Sequence, residues 1–336
     1  MSHATGSPST MQRVIVATDG SAHAHAAATF TGALAWPTGS VVHVASVVEA
    51  PPPGDLPVSH WESQALADWR TVLDHSYTAA REHALAYLAE TAATLRERLP
   101  GVDVDEVICV GEPAAELLSL ASSVDAELVI TGARGRSAVS ALLLGSVSEA
   151  LVTEAPCPVL IVREEMADLR IVLVALRTSD DADRMAEVCL RLPLPPATRV
   201  VAVTASAPRP PAAPAGRSFA PGRTEALLAA WDEAEHAGAE AAGARFVERM
   251  RAGNPERDVT ARVIRGDLRP SALESRADIA PALLAEAVAL GADLVVVGAR
   301  EQTGLTARLG LGSVSRKVVR RAPMAVLVVR GGPSPQ

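Results

Sequence analysis

The chain has 336 residues, 49% of them apolar, and a formal charge of −8; that is enough for two domains of ordinary size, each with its own core. Acid and base are mixed along its length without the basic stripe that phosphate neutralisation needs, so nucleic acid is excluded as the main partner. No apolar run approaches the ~20 residues of a membrane span, and "MSHATGSPST" lacks the basic-then-apolar pattern of a signal peptide.

A soluble cytoplasmic protein is therefore expected. Basic charge is almost all arginine, Lys317 being the single lysine. Cys109, Cys157 and Cys189 are odd in number, widely spaced and set in apolar runs, which reads as three buried thiols.

In chain order, apolar runs of strand length alternate with longer helical patterns, the signature of βαβ units and a parallel sheet. The first half predicts strands at Arg13 to Thr18, Val41 to Val47, Asp105 to Val110, Glu127 to Thr131 and Pro158 to Val162. The second half predicts them at Arg170 to Ala175, Arg199 to Ala205, Val259 to Ile264, Asp293 to Val297 and Met324 to Val329. Long helical patterns run from about Trp61 to Arg98 and from about Thr224 to Arg251, and Trp61, Trp69 and Trp231 on them read as packing residues.

The halves match in order. "ELVITGAR" answers "DLVVVGAR", "GSVSEALVTEAPCPVLIVR" answers "GSVSRKVVRRAPMAVLVVR", and "VGEP" has a looser partner in "RGD". A duplication with a period near 160 residues is too long for a solenoid, so two like domains are expected, 1–165 and 166–336. The Pro- and Ala-rich stretch from Ala207 to Gly222 reads as a loop inside the second domain, not as a boundary.

Thr131 ends a predicted strand, Gly132 and Gly135 follow in the turn, and Gly145-Ser146 opens a helical pattern. Ligands of parallel sheets bind beside the carboxyl ends of the strands. Glycine lets the backbone approach an anion closely, and a helix start presents N–H groups without intrahelical acceptors. These parts make a phosphate cradle without a lysine. The competing reading is structural: Ser146-Val147-Ser148-Glu149 has the capping-box pattern, and glycines at such spacing also serve turns. Neither GxxxxGK[ST] nor a GxGxxG after the first strand of either half is present.

The spacing Gly132-x2-Gly135-x9-Gly145-Ser146 resembles the ATP-binding motif of the universal stress protein family. "VIVATDGS" is similar to that family's first strand with its terminal acid, here Asp19, "VVHVASV" to its second strand and "PCPVLIV" to its last. The resemblance covers almost the whole chain as two tandem copies. It implies an α/β fold of two open, parallel, five-stranded Rossmann-like sheets of the adenine-nucleotide alpha-hydrolase-like kind. By position it places Asp19 at the ribose, Ala17 and Val44 beside the adenine, and Gly132, Gly135, Gly145, Ser146 and Val147 around the phosphates of ATP, bare or with Mg2+. A turn-and-helix-start role for Asp19 stands beside the binding role.

The second copy departs from the motif. Arg177 stands where the first has Asp19, Glu301 or Gln302 falls on the second-glycine position, the loop before Gly312-Ser313 is one residue longer, and Arg316 replaces Glu149. One working nucleotide site per chain is therefore expected.

No nucleophile-base constellation emerges. His23 and His25 are two apart, a spacing that does not share a helix face, and His60, His75 and His83 lack metal-ligand spacing. The expectation is a nucleotide-occupied regulator in stress or energy limitation, not an enzyme. A slow ATP hydrolase on the same fold and a nucleotide-free interaction protein are the alternatives. The resemblance also implies pairing of the two domains through their last strands, with a homodimer as a further state and a protein partner left unidentified.

Overall fold

The structure, a computed structural model, describes residues 9–49, 64–135, 144–206, 221–265, 279–299 and 311–330. These divide into two compact units, one of residues 11–168 and one of residues 169–330 together with 9–10.

The first unit runs β1 (Arg13–Ala17), α1 (Ala22–Gly32), β2 (Val41–Val48), α2 (Gln64–Arg98), β3 (Asp103–Val110), α3 (Pro113–Ser123), β4 (Leu128–Gly132), α4 (Ser146–Glu154) and β5 (Val159–Val162). Its strands lie in the order β3-β2-β1-β4-β5, and every pairing is parallel. The inner strands are short runs of β-branched and aliphatic residues buried on both faces. Val14, Ile15, Val16, Val129, Ile130, Val159 and Ile161 are all wholly shielded. Continuous apolar runs of this kind belong to parallel sheets covered by helices on both sides.

Local chemistry fixes where the helices begin. Ser21 caps α1 by accepting the Ala24 N–H at 3.2 Å. Glu112 caps α3 by accepting the N–H groups of Ala114 and Ala115 at 3.2 and 2.7 Å, with Pro113 at the first helical position, where its missing N–H costs nothing. Register is pinned at the other end of the sheet. The Glu127 carboxylate accepts the N–H groups of Gln12 and Arg13 at 3.0 and 3.1 Å, tying the entry of β4 to the entry of β1.

The second unit repeats the plan: β6 (Ile171–Leu176), α5 (Ser179–Arg191), β7 (Arg199–Ser206), α6 (Pro221–Gly253), β8 (Val259–Arg265), α7 (Ile279–Leu290), β9 (Leu294–Gly298), α8 (Ser313–Arg321) and β10 (Ala325–Val329), with strand order β10-β9-β6-β7-β8. Even the register tie is copied, since Asp293 accepts the N–H groups of Arg170 and Ile171 at 2.7 and 2.8 Å.

The ten expected strands fall within two residues of their observed ends. Three details differ. Helix α6 begins at Pro221, so the end of the Pro- and Ala-rich stretch is helical, while 207–220 lie outside the described residues. Trp231 is 37% exposed, so packing does not account for it; Trp61 and the side chain of Trp69 lie outside the described set. Cys157 and Cys189 are buried, with burial pushing the Cys189 thiol up to about 12, but Cys109 is only half-buried on an edge strand. Among the described residues no helix is long and apolar enough to cross a membrane.

Phe30 on α1 is wholly buried against the sheet. Phe30→Ala is expected to cost about 3–5 kcal/mol through lost burial and the cavity left behind. Urea unfolding reads it; a loss below about 1 kcal/mol would mean that α1 is not the helix that closes this core.

Candidate functional site

Strand order reverses between β1 and β4, because the chain leaves β1 for β2 on one side and returns to β4 on the other. Helices diverge at such a point and a crevice opens at the carboxyl ends of the two strands. Asp19 stands just past the end of β1, and Gly132 is the last residue of β4. Both therefore meet at this switch point.

On the β1 side the chain turns sharply. The Asp19 Oδ1 accepts the Ser21 N–H at 3.0 Å, and Gly20 takes a φ of +73°, a conformation that costs glycine little. Tyr87 of α2 lies over this turn, its ring 2.7 Å from where a Cβ on Gly20 would be. The Ser46 hydroxyl donates to the Tyr87 Oη at 3.4 Å, and the hydroxyls of Thr18 and Thr91 are 3.4 Å apart. Helix α2 thus covers the ends of β1 and β2 with a hydroxyl-lined wall.

The three loop glycines serve three different ends. A Cβ on Gly132 would lie 2.7 Å from the His23 carbonyl carbon, so α1 and β4 pack at this distance only because Gly132 has none. A Cβ on Gly135 would lie 2.5 Å from the Asp19 Oδ2, so the carboxylate is laid directly against Gly135. Gly145 is different. A Cβ there would meet its nearest atoms at 3.4 Å or more, an ordinary contact, and its φ of −67° suits any residue. The protein's own packing does not require glycine at 145; glycine keeps that face of the crevice open.

Residues 136–143 lie outside the described set, yet both ends of the loop are fixed. The Gly145 N–H donates to the Ala133 carbonyl at 2.9 Å, the Ser148 hydroxyl to the Gly132 carbonyl at 2.7 Å, and the Ser21 hydroxyl to the Arg134 carbonyl at 3.3 Å. The capping box of the competing structural reading does not form at Ser146. Gly145 is the N-cap, no side chain caps the helix, and Ser146 is already its first residue. The leading N–H groups of α4 have no intrahelical acceptor, and the helix start faces the crevice with its positive end. Ser146 is exposed there and Val147 half-buried.

Asp19, Gly132, Gly135, Gly145, Ser146 and Val147 are thus gathered around one crevice. Ala17 and Val44 are placed differently. Ala17 lies opposite Ala45, and Val44 opposite Val16. The pleat therefore directs the Ala17 and Val44 side chains to opposite faces of the sheet. Val44 is wholly buried, so its side chain does not line the crevice.

Three basic groups also stand at this end of the sheet, of which the sequence pointed only to His23, and that as a metal ligand. His23 sits in the first turn of α1, Arg134 between two loop glycines, and Arg163 directly after β5. His23 is held below the ordinary histidine range by burial and by the charges of Arg134 and Arg163, with Asp19 pulling the other way. Arg163 is lowered by burial and by Arg134. Arg134 was in plain view inside "GARG"; the convergence of the other two needed the fold. His25 pairs instead with Glu90 at 3.8 Å. Among the described residues no three His, Cys, Asp or Glu side chains gather as a cation site.

The second unit keeps the frame and fills it. The Ser315 hydroxyl donates to the Gly298 carbonyl at 2.7 Å and Gly312 caps α8 without a side chain, as Ser148 and Gly145 do above. But Thr178 caps α5 one residue earlier, so the glycine turn is gone. Asp181, buried, pairs with Arg184 at 2.5 Å and with Arg177 at 3.6 Å. This group faces Gly298, where a Cβ would meet Arg184 at 3.0 Å and Asp181 at 3.4 Å. Glu301 and Gln302 lie outside the described residues.

The family model described as the universal stress protein family matches residues 10–163 and again 169–330. A universal stress protein of Mycobacterium tuberculosis is 33% identical over 113 residues, which is 33% of this chain and 36% of that protein. One of Thermus aquaticus is 42% identical over 86 residues, 24% of this chain and 63% of that protein. The matched segments thus span less than two thirds of these relatives. Among solved structures, a universal stress protein of Archaeoglobus fulgidus superposes with a TM-score of 0.55 at 19% identity, covering 94% of this chain and 97% of that one. That likeness shows the shared fold.

The two strand-end glycines make an asymmetric pair. Gly132→Ala forces a Cβ against helix backbone and is expected to cost about 1–3 kcal/mol. Gly298→Ala meets side-chain atoms of Arg184 and Asp181 and no backbone, and should cost less than half as much. Denaturant unfolding of the two variants compares them, and equal losses would mean that α1 does not press on β4 as described.

Proposed function

We propose that the chain, which belongs to the universal stress protein family over both its halves, binds one ATP per molecule, in its first domain. Its role is that of a nucleotide-occupied regulator, and binding rather than turnover is its chemistry. The observation that carries this reading is the joint placement at one switch point of the Asp19 carboxylate, laid against Gly135, and an uncapped helix start whose Gly145 is not required by packing.

Each part suits a part of the ligand. A carboxylate at the end of β1 accepts hydrogen bonds from ribose hydroxyls, and Ser21, which already donates its N–H to Asp19, keeps the group oriented. The start of α4 offers backbone N–H donors and the positive end of a helix to phosphate oxygens. Gly135 and Gly145 leave no side chain between those oxygens and the backbone. Mg2+, if it arrives with the triphosphate, would be held by phosphate oxygens and water.

The second domain, in this reading, carries no nucleotide. Arg177 replaces the ribose acceptor, and the Asp181–Arg184 pair stands against Gly298. An internal carboxylate supplies the negative charge that a phosphate would bring. A regulatory role then follows only if ATP is bound with different affinity by two states of the chain, since a ligand with equal affinity for both shifts nothing.

Nucleotide content and added-ATP stoichiometry on freshly purified protein test this directly. Close to one ATP per chain is expected. Asp19→Ala should weaken binding roughly ten- to hundredfold, the scale of a charged hydrogen bond at about 1.5–3 kcal/mol. Gly145→Arg should abolish binding, and Gly312→Arg should leave it intact. Two ATP per chain, or none, would overturn the proposal.

A further inference from the structure

We propose that His23, Arg134 and Arg163 form a charge-reading corner which selects a nucleoside polyphosphate over adenine compounds of lower charge. The inference rests on the nucleotide reading above and specifies what the first domain reads beyond the base and the sugar.

Three separate elements deliver these groups to one end of the sheet. His23 comes from the first turn of α1, whose backbone lies against Gly132. Arg134 belongs to the turn after β4; its carbonyl is held by the Ser21 hydroxyl at 3.3 Å, and its Cα lies 3.4 Å from where Gly145 would carry a Cβ. Arg163 follows Val162, the register partner of Gly132 on the adjacent strand. All three therefore stand beside the loop glycines. They sense one another, because both arginines disfavour the protonated form of His23, and Arg134 acts in the same sense on Arg163.

Like charges at partly buried positions repel, and an anion brought among them relieves the repulsion in proportion to its charge. The guanidinium fork also matches phosphate oxygens in geometry, not only in sign. Asp19 is the acid felt by His23; on the facing helix, Glu90 is engaged with His25, and Glu149 stands in the first turn of α4.

The second unit shows the same frame with the opposite choice. Arg330 follows β10 as Arg163 follows β5. There, however, the first turn of α5 carries Asp180 and Asp181, whereas the first turn of α1 carries no acid. Aligned on their caps, Asp180 stands where His23 stands. The start of α5 thus carries acid where the start of α1 carries a basic group. That arrangement is suited to a negative charge arriving from outside.

A second consequence distinguishes this role from a structural one. His23 is less basic than usual in the free protein. Phosphates beside it favour its charged form, so binding takes up a proton near neutral pH.

Calorimetric titration of the full chain with ATP, ADP, AMP and adenosine tests both consequences. The expected affinity falls in that order, with ATP about a hundredfold above AMP. Arg134→Gln and Arg163→Gln should each shrink the ATP-to-AMP ratio about tenfold while leaving adenosine unchanged, and Arg163→Lys should restore most of it. Titration at pH 6.5 in two buffers of different ionisation enthalpy should show proton uptake with ATP that is absent in His23→Gln. Thermal unfolding of each variant checks that it is folded, and Arg134→Gln, on a loop, carries the test if Arg163→Gln is not. Equal affinity for ATP and AMP, or a variant that weakens all four compounds alike, overturns the corner while the nucleotide reading stands. Failure of all four to bind removes the nucleotide reading and the corner with it.

Discussion

One close approach sets the geometry of the first domain. The first turn of α1 lies directly on the end of β4, with the His23 backbone where a Cβ of Gly132 would be. Bringing a helix that near a strand end places its cap residue Ser21 within reach of the Arg134 carbonyl, and Asp19, two residues earlier, against Gly135. The loop after β4 is then held from three sides: by Ser21, by Val162 through the Ala133 N–H, and by Gly145 through the Ala133 carbonyl. Had Gly132 carried a side chain, α1 would stand off and these contacts would part together. The site is a consequence of a packing distance.

The duplication shows which parts of this plan are frame and which are fitting. Both units keep the acid that ties the entries of their first and fourth strands, the serine that returns to the strand-end carbonyl, and the glycine N-cap without a side-chain bond. These features fix register and helix placement and are indifferent to a ligand. What changes is the turn after the first strand. Losing the glycine there starts α5 one residue sooner, and Asp181 and Arg184 of that helix come to face Gly298. A buried charged pair of this kind is costly to desolvate and is tolerated where its own hydrogen bond is good. The closure is thus built from charge as well as bulk.

Much of the fold was legible because its signals are local. Runs such as "RVIVA" and "DLVVV" are too apolar for a surface and too short for a buried helix, and their alternation with helical patterns leaves a parallel sheet as the economical arrangement. The site was legible to the extent that glycine spacing reports backbone geometry. What stayed hidden depends on distance across the fold. "SVSE" reads as a capping box, but Gly145 takes the cap because its N–H is drawn back to Ala133, a contact that the local pattern does not encode. Tyr87 and Thr91 carry no signal of their own in the sequence, and only the packing of α2 over β1 and β2 makes them a wall of the crevice. Trp231 shows the converse, an aromatic that the helical pattern would bury and the fold leaves exposed.

The contrast between the two helix starts carries a wider point about duplicated nucleotide folds. A helix N-terminus over a strand end is positive whether or not anything binds there. Each copy must offset that potential together with the arginine that follows its last strand. With Asp180 and Asp181 in the first turn of α5, the second unit does so internally. The first unit has no acid in the first turn of α1 and carries Glu149 in the first turn of α4 instead. The two units thus meet the same electrostatic constraint with acids on different helices. The second arrangement requires only a shortened turn and an aspartate at the helix start, and it leaves the sheet beneath it undisturbed.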